Sequence, residues 1–423
     1  MLDINLIRNK TERVKENLKR RDKDYVKMLD EVLKKDGEWR KLKTKNQELQ
    51  HKRNVLSRKI GELKAGKKDA KKEMKEVSGI PAKIKKNNEK IDKLRKECDL
   101  LLLKIPNLIH DSVPEGKEEK DNVEIGKWGK PPEFKGKSHL EVGRKGIDFE
   151  AGARASGSLF TYLKDDMVLL DLALLRFAVD FLVKKGYKLV EPPYLVNKRV
   201  YEAMIGDPTE LGEASYKIDG EELYLIPTAE YPLGGMFLDK TLNKSELPVK
   251  LVGVSSCFRR EVGTHGKYAK GLFRMHQFNK VEQIIVCLPN ESWEFFEELQ
   301  KNCEELYQKL GLHYRVVNVC SGKLGKKQAK TYDVEAWMAD GKFREVGSNS
   351  NCTDYQARRL GIKFREKEGR PPAGYVHILN NTALATSRTM IAILEQFQQK
   401  DGSVLVPEAL QPYMNGKKVI KFK

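Results

Sequence analysis

Two heptad runs in the first quarter of the chain constrain its fold more than any other feature. From Val32, positions 32, 36, 39, 42, 46, 49, 53, 56, 60 and 63 carry Val, Asp, Trp, Leu, Asn, Leu, Arg, Leu, Ile and Leu. After G-E-L-K-A-G-K-K-D at 61–69, a second run restarts at Met74. It steps through 77, 80, 84, 87, 91, 94, 98, 101 and 105 as Val, Ile, Ile, Asn, Ile, Leu, Cys, Leu and Ile. Alternating steps of three and four lay one apolar seam along each helix, the pattern of a coiled coil. Two such runs joined by a short Gly-containing tip predict an antiparallel helical hairpin over residues 27–105. Arms of about 32 to 36 residues would each reach roughly 50 Å. Gly79 and Pro81 should kink the returning helix near the tip. Ahead of the hairpin, residues 1–24 suggest a short amphipathic helix and a charged turn.

Charge gives the hairpin a purpose. The formal net charge is +19, and residues 1–104 hold 33 Lys/Arg against 18 Asp/Glu, leaving only +4 for the rest. A spacer or oligomerisation coil is one reading of this segment. A surplus of +15 exceeds what solubility needs, however, and suits phosphate contacts on nucleic acid. The near absence of aromatic residues on the rod favours duplex shape over base stacking.

The other bounds are broad. Six scattered cysteines with no C-x-x-C pair argue against zinc and suit a reducing, cytoplasmic setting. No signal peptide is evident, and no stretch approaches the roughly 18 apolar residues of a membrane span. Residues 1–108 thus form an N-terminal domain. A Pro- and Gly-containing linker occupies 109–136, and 137–423 have the composition of a domain mixing helices and strands.

Within that domain, residues 165–185 predict a strongly apolar helix, opened by acids and closed by lysines. Such a helix is either deeply buried or partly covered by another subunit. The stretch 254–286 reads as an antiparallel hairpin whose long tip carries Gly263, His265, Gly266, Lys267, Lys270 and Gly271. Alternation along strands would put Arg259 and Glu261 on one face of the first arm. It would put Arg274, His276, Phe278, Lys280 and Glu282 on one face of the second. That surface is too polar for a core and suits a ligand. Thr228 and Glu230 follow a strand at 223–226, and Glu345 and Ser348 sit near a strand end. The latter two could ligate magnesium or cap a turn with equal ease. Arg388 falls in the first turn of a helix, where backbone N–H groups already favour an anion. S-G-K-L-G-K-K-Q-A-K at 321–330 lacks phosphate-loop spacing, and no dinucleotide fingerprint appears.

Three stretches resemble the signature motifs of class II aminoacyl-tRNA synthetases: G-Y-K-L-V-E-P-P, F-R-R-E with R-M-H-Q-F-N-K-V-E, and A-L-A-T-S-R-T-M-I-A-I-L-E. P-T-A-E, G-S-N-S-N-C-T-D-Y-Q-A-R-R and the N-terminal arm narrow the resemblance to the seryl-tRNA synthetase family, along essentially the whole chain. It implies an α+β fold, with an antiparallel sheet flanked by helices and a coiled-coil arm. It also implies a cytoplasmic homodimer that joins L-serine to tRNA(Ser) with ATP and Mg²⁺. By resemblance, Arg259 bridges the ATP α-phosphate and the serine carboxylate, while Arg388 grips the γ-phosphate. Glu261 and Phe278 hold adenine; Arg260, Met275, Val346 and Gly347 complete the ATP site; Glu345 and Ser348 ligate the metal. Thr228, Ala229, Glu230, Glu282 and Thr382 form the serine pocket, their roles undivided. His265 is then a loop residue and His276 structural. Phe278 and Glu282, four apart on one strand face, would stand about 13 Å apart, a sensible spacing between adenine and amino acid. A relative that has lost charging would show erosion at Arg259, Glu282, Glu345 or Arg388, and none is seen. A ligase that loads a carrier protein would lack the arm.

Overall fold

A computed structural model describes residues 1–133, 136–206, 215–261 and 271–422. Two compact units emerge, Leu2–Pro106 and Asn107 onward, the second also taking Met1. Among the described residues, no helix is long and apolar enough to cross a membrane.

The first unit is all helix: α1 (Ile4–Asn9), α2 (Thr11–Lys19), α3 (Asp24–Ala65), α4 (Lys71–Ser78) and α5 (Ile80–Lys104). The expected short helix is thus two, and the returning run breaks at Gly79, where α4 stops and α5 starts with Pro81 in its first turn. Pro81 belongs there because the first helical N–H groups have no partner to lose. The α3–α5 seam buries Leu29, Val32, Leu56, Ile80, Ile84, Leu94, Cys98 and Leu102. Met74 stays 46% exposed, so the second seam begins later than the heptad count suggests. Two of the three polar intruders are paired. Asp36 accepts from Arg8 Nε at 2.9 Å and Arg40 Nε at 3.0 Å. Asn46 donates to Asn88 at 2.6 Å and accepts from Asn87 at 2.8 Å. A paired polar residue in the seam fixes which turn of one helix faces which turn of the other. Arg53 points to solvent.

The second unit is organised by an eight-stranded sheet. Its strands are β1 (Val123–Trp128), β2 (Lys188–Val190), β3 (Val249–Phe258), β4 (Gln277–Cys287), β5 (Tyr314–Asn318), β6 (Lys330–Trp337), β7 (Phe343–Asn351) and β8 (His377–Ala385). They lie in the order β1-β5-β6-β7-β8-β4-β3-β2, antiparallel except for the edge pair β2–β3. The segment 109–136 is therefore more than a tether, since it supplies the edge strand β1.

Period-two alternation on β4 sorts the two faces of the sheet. Val281, Ile285 and Cys287 enter the larger core with α6 (Asp166–Lys184), α8 (Ser292–Lys309) and α10 (Thr386–Gln396). Ile284 and Val286 enter a second core that includes residues of α7 (Glu230–Gly235) and α9 (Tyr355–Leu360). By the same alternation Phe278, Lys280 and Glu282 fall on the face of Ile284 and Val286 toward the other end of the strand, although Phe278 packs against the larger core. On α6, Leu170, Leu174 and Leu182 are fully buried. Each contributes on the order of 1.5–3 kcal/mol, enough to seat the helix although Leu172 faces out.

Candidate active site

The hairpin ladder is shorter than alternation predicts. It ends at Phe258 opposite Gln277, with one more bond from the Arg259 amide to the His276 carbonyl at 2.9 Å. Arg259, Glu261, Arg274 and His276 therefore lie in the turns beyond the strands, and strand-face counting does not apply to them. Glu261 takes a positive φ of 48° and pairs with Arg274 at 2.8 Å. His276 is held internally: its Nδ1 lies 2.8 Å from the Arg259 carbonyl oxygen and 2.7 Å from the Tyr216 hydroxyl, and its ring stacks on Phe160. Gly263, His265, Gly266, Lys267 and Lys270 lie outside the described residues.

Arg259, Phe278 and Arg388 line one cleft. The Arg259 guanidinium lies over the Phe278 ring, 5.2 Å from its centroid, and its Nε donates to the Pro227 carbonyl at 3.3 Å. Glu261, Met275, Glu345, Val346, Gly347 and Thr382 border the same space. Phe273, Lys280, Ala385 and Ser387, which resemblance did not assign, also line it. Across the cleft, Arg388 lies against the Phe273 ring and pairs with Glu345 at 3.1 Å. Arg260 is exposed and outside the cleft.

Glu282 sits one step deeper. It is cross-strand partner to Thr382, whose hydroxyl donates to it at 3.3 Å, and it forms an ion pair with Lys280. Burial pushes its carboxyl above the ordinary value, against the pull of Lys280. Thr382 and Lys280 border the cleft and touch Glu282, so they join the two levels. Glu230 lies nearby, close enough for its charge to act on Glu282. Gly253, opposite Glu282, makes that proximity possible. A Cβ there would stand 2.7 Å from Leu233 and 3.1 Å from Ala229, so the α7 segment rests directly on β3. Ala229 is fully buried in that contact, and the Thr228 hydroxyl accepts from the Glu230 amide at 3.2 Å.

Glu230 is more heavily bonded than expected. Lys327 donates to both its oxygens at 2.5 and 2.8 Å, Gln356 at 2.7 Å and Asn380 at 3.1 Å. Burial lowers the Lys327 ammonium, but Glu230, Cys352 and Glu282 together hold it above its ordinary value. Lys327 comes from the loop at 321–330, whose irregular backbone offers no periodicity from which to place it.

A β-bulge arranges the oxygen donors. Glu345 and Ser348 have opposite parity and would face opposite sides of a regular strand. The register between β6 and β7 shifts at Val334/Glu335, pairing Glu335 with Glu345 and Asp333 with Ser348. One extra residue on β7 thereby brings both side chains to the same face. The Ser348 side chain stands beside the Asp333 carboxyl, its cross-strand partner. Burial, then the charge of Glu345, pushes that carboxyl well above its usual range.

Residues 1–109 match the model for the seryl-tRNA synthetase N-terminal domain, and 215–397 match the class II tRNA synthetase core domain (G, H, P, S and T). The chain is 46% identical over 422 residues to the serine–tRNA ligase of Methanocella arvoryzae, covering 98% of this chain and 99% of that protein. The crystal structure of seryl-tRNA synthetase from Pyrococcus horikoshii complexed with ATP superposes with a TM-score of 0.96 at 45% identity, covering 99% of each chain. That of the cytoplasmic serine–tRNA ligase from Naegleria fowleri, in complex with AMP, gives 0.91 at 36% identity, covering 100% of this chain and 99% of that one. With the N-terminal and core domains both matched and near-complete coverage at these identities, the chain belongs to the seryl-tRNA synthetase family of class II aminoacyl-tRNA synthetases.

Proposed function

We propose that this chain activates L-serine with ATP, releasing pyrophosphate, and transfers the seryl group to the 3′-terminal adenosine of tRNA(Ser). One observation carries the site assignment: Arg259, Phe278 and Arg388 line one cleft, and Thr382 at its border hydrogen-bonds the buried carboxylate of Glu282.

A serine carboxylate oxygen attacks the α-phosphorus, the bond to the β-phosphate breaks, and pyrophosphate leaves. A terminal ribose hydroxyl then attacks the seryl carbonyl carbon and AMP departs. Neither step needs a protein nucleophile, so the chain contributes alignment and positive charge fixed in advance. Arg259 neutralises charge between the α-phosphate and the serine carboxylate. Phe278 stacks on adenine, Glu261 receives its amino group, and Met275, Val346 and Gly347 frame the nucleotide. Arg388 turns from Glu345 to the γ-phosphate. Thr228, Ala229, Glu230, Glu282 and Thr382 form the serine pocket, with Glu282 as the nearer carboxylate for the ammonium group. A site that hydrogen-bonds the serine hydroxyl rejects alanine because its own buried polar groups are then left unpaired. Serine-dependent pyrophosphate–ATP exchange and charging of tRNA(Ser) test the reading. Exchange without charging points instead to a carrier-loading ligase, and absence of both to a binding protein.

The oxygen donors fit a hard cation. Glu345 and Ser348 share a face, and the buried Oδ1 of neighbouring Asp333 has no hydrogen-bond partner. Glu345 and Ser348 would hold Mg²⁺. Once bound, the ion supplies charge neutralisation at the phosphate oxygens.

The chain works as a homodimer. Val168, Leu172 and Val183 form an exposed stripe on α6 beside Leu189 of the edge strand β2, apolar surface suited to an isologous partner. A sedimentation mass of twice 48.5 kDa is expected; a monomer at micromolar concentration contradicts it. Its six cysteines are free and buried, as suits the cytoplasm, which cell fractionation checks.

A further inference from the structure

Three carboxylates share the patch formed by β6 and β7, and two are accounted for. Glu335 pairs with Arg315 at 2.7 Å, and Glu345 pairs with Arg388 at 3.1 Å. Asp333 forms no salt bridge among the described residues, and its Oδ1 is shut from solvent without a hydrogen bond. A buried carboxylate oxygen left bare costs about 1–3 kcal/mol or more, so its persistence calls for a partner that arrives later.

From this geometry we infer that Asp333 is a positioning residue for the divalent cation of the ATP complex, acting from the second layer. With the ion bound, its carboxyl accepts a hydrogen bond from the Ser348 hydroxyl, which turns the lone pairs of that oxygen toward the ion. Its free Oδ1 receives a hydrogen bond from a water on the ion. The inference rests on Glu345 and Ser348 as the metal ligands proposed above. Two observations favour the outer position. Asp333 stands beside Ser348 as its direct cross-strand partner, with its Oδ1 shut from solvent. Among the described residues, no three His, Cys, Asp or Glu side chains converge as a ready-made cage. A magnesium ion in such a place keeps several waters and leans on substrate phosphates, and those waters need acceptors. Asp333 Oδ1 is an acceptor with nothing else to do.

Mn²⁺ binding to the full-length chain, saturated with ATP and without serine, tests this through the electron paramagnetic resonance signal of free Mn²⁺. Asp333→Asn should weaken Mn²⁺ binding by about 10-fold or more while ATP affinity without metal and the melting temperature stay put. Glu345→Gln serves as the reference and should also weaken it. If Asp333→Asn binds Mn²⁺ as the parent does while Glu345→Gln does not, the role of Asp333 is overturned and the ligand assignment stands. If neither variant weakens binding, the ligand assignment itself fails and the inference falls with it. Should Asp333→Asn not fold, Asp333→Glu keeps the charge and moves the carboxylate by one methylene. Its Mn²⁺ affinity should then fall several-fold, and an unchanged affinity overturns the inference.

Discussion

Arg259→Ala is expected to abolish serine-dependent pyrophosphate exchange, lowering it by about 10³-fold or more, while the protein stays folded. Losing one preorganised donor at a developing negative charge costs roughly 10²–10³, and an arginine on a transferring phosphoryl group about 10³–10⁵. Folding should be spared because the native contacts of Arg259 are few. Among the described residues its side chain donates one hydrogen bond, at 3.3 Å, covers one face of Phe278 and lines an open cleft. Steady-state exchange and a thermal melt on the same preparation separate the two effects. Exchange within a few-fold of the parent rate would remove Arg259 from the α-phosphate.

Excising residues 40–95 should leave exchange intact and cripple charging, chiefly through weaker tRNA binding. The segment carries 20 Lys/Arg against 7 Asp/Glu, most of the basic surplus of the chain. The cut is well placed. Lys35 pairs with Glu97 at 2.6 Å, and the Cys98 thiol lies 3.9 Å from the Val32 carbonyl, so the ends left behind face each other across the seam and a short Gly linker can close them. Every phosphate that the shortened chain no longer neutralises should flatten the salt dependence of binding, by about 0.7–0.9 in the log–log slope. Charging at the parent rate with the parent salt slope would show that the rod does not read the RNA.

How legible the molecule was in its sequence depended on regularity. The arm was readable because heptad spacing is a local, repeated signal, and even its polar intruders Asp36 and Asn46 proved to be paired seam residues. Phe278 and Glu282 were placed on one face by counting along a strand, and both lie within β4. Counting failed for Arg259 and Glu261 because the ladder stops at Phe258 and a positive φ at Glu261 redirects the chain. It would have separated Glu345 from Ser348 had the bulge not restored them to one face. Lys327, Gln356 and Asn380 converge on Glu230 from a loop, a helix and a strand far apart in sequence. That convergence is a property of the tertiary fold, and no spacing rule announces it. Asp333 was hidden for the same reason, since its meaning depends on the residue opposite it on another strand.

The central claim is that one polar floor holds a nucleotide at one end and a small hydroxy amino acid at the other. A crystal structure of the full chain with a non-hydrolysable seryl-adenylate analogue tests it most directly. Adenine should lie against Phe278, the phosphate mimic beside Arg259, and the seryl ammonium group toward Glu282 and Thr382. An analogue bound with its seryl end away from Glu282, or outside the cleft of Arg259 and Phe278, would contradict the account.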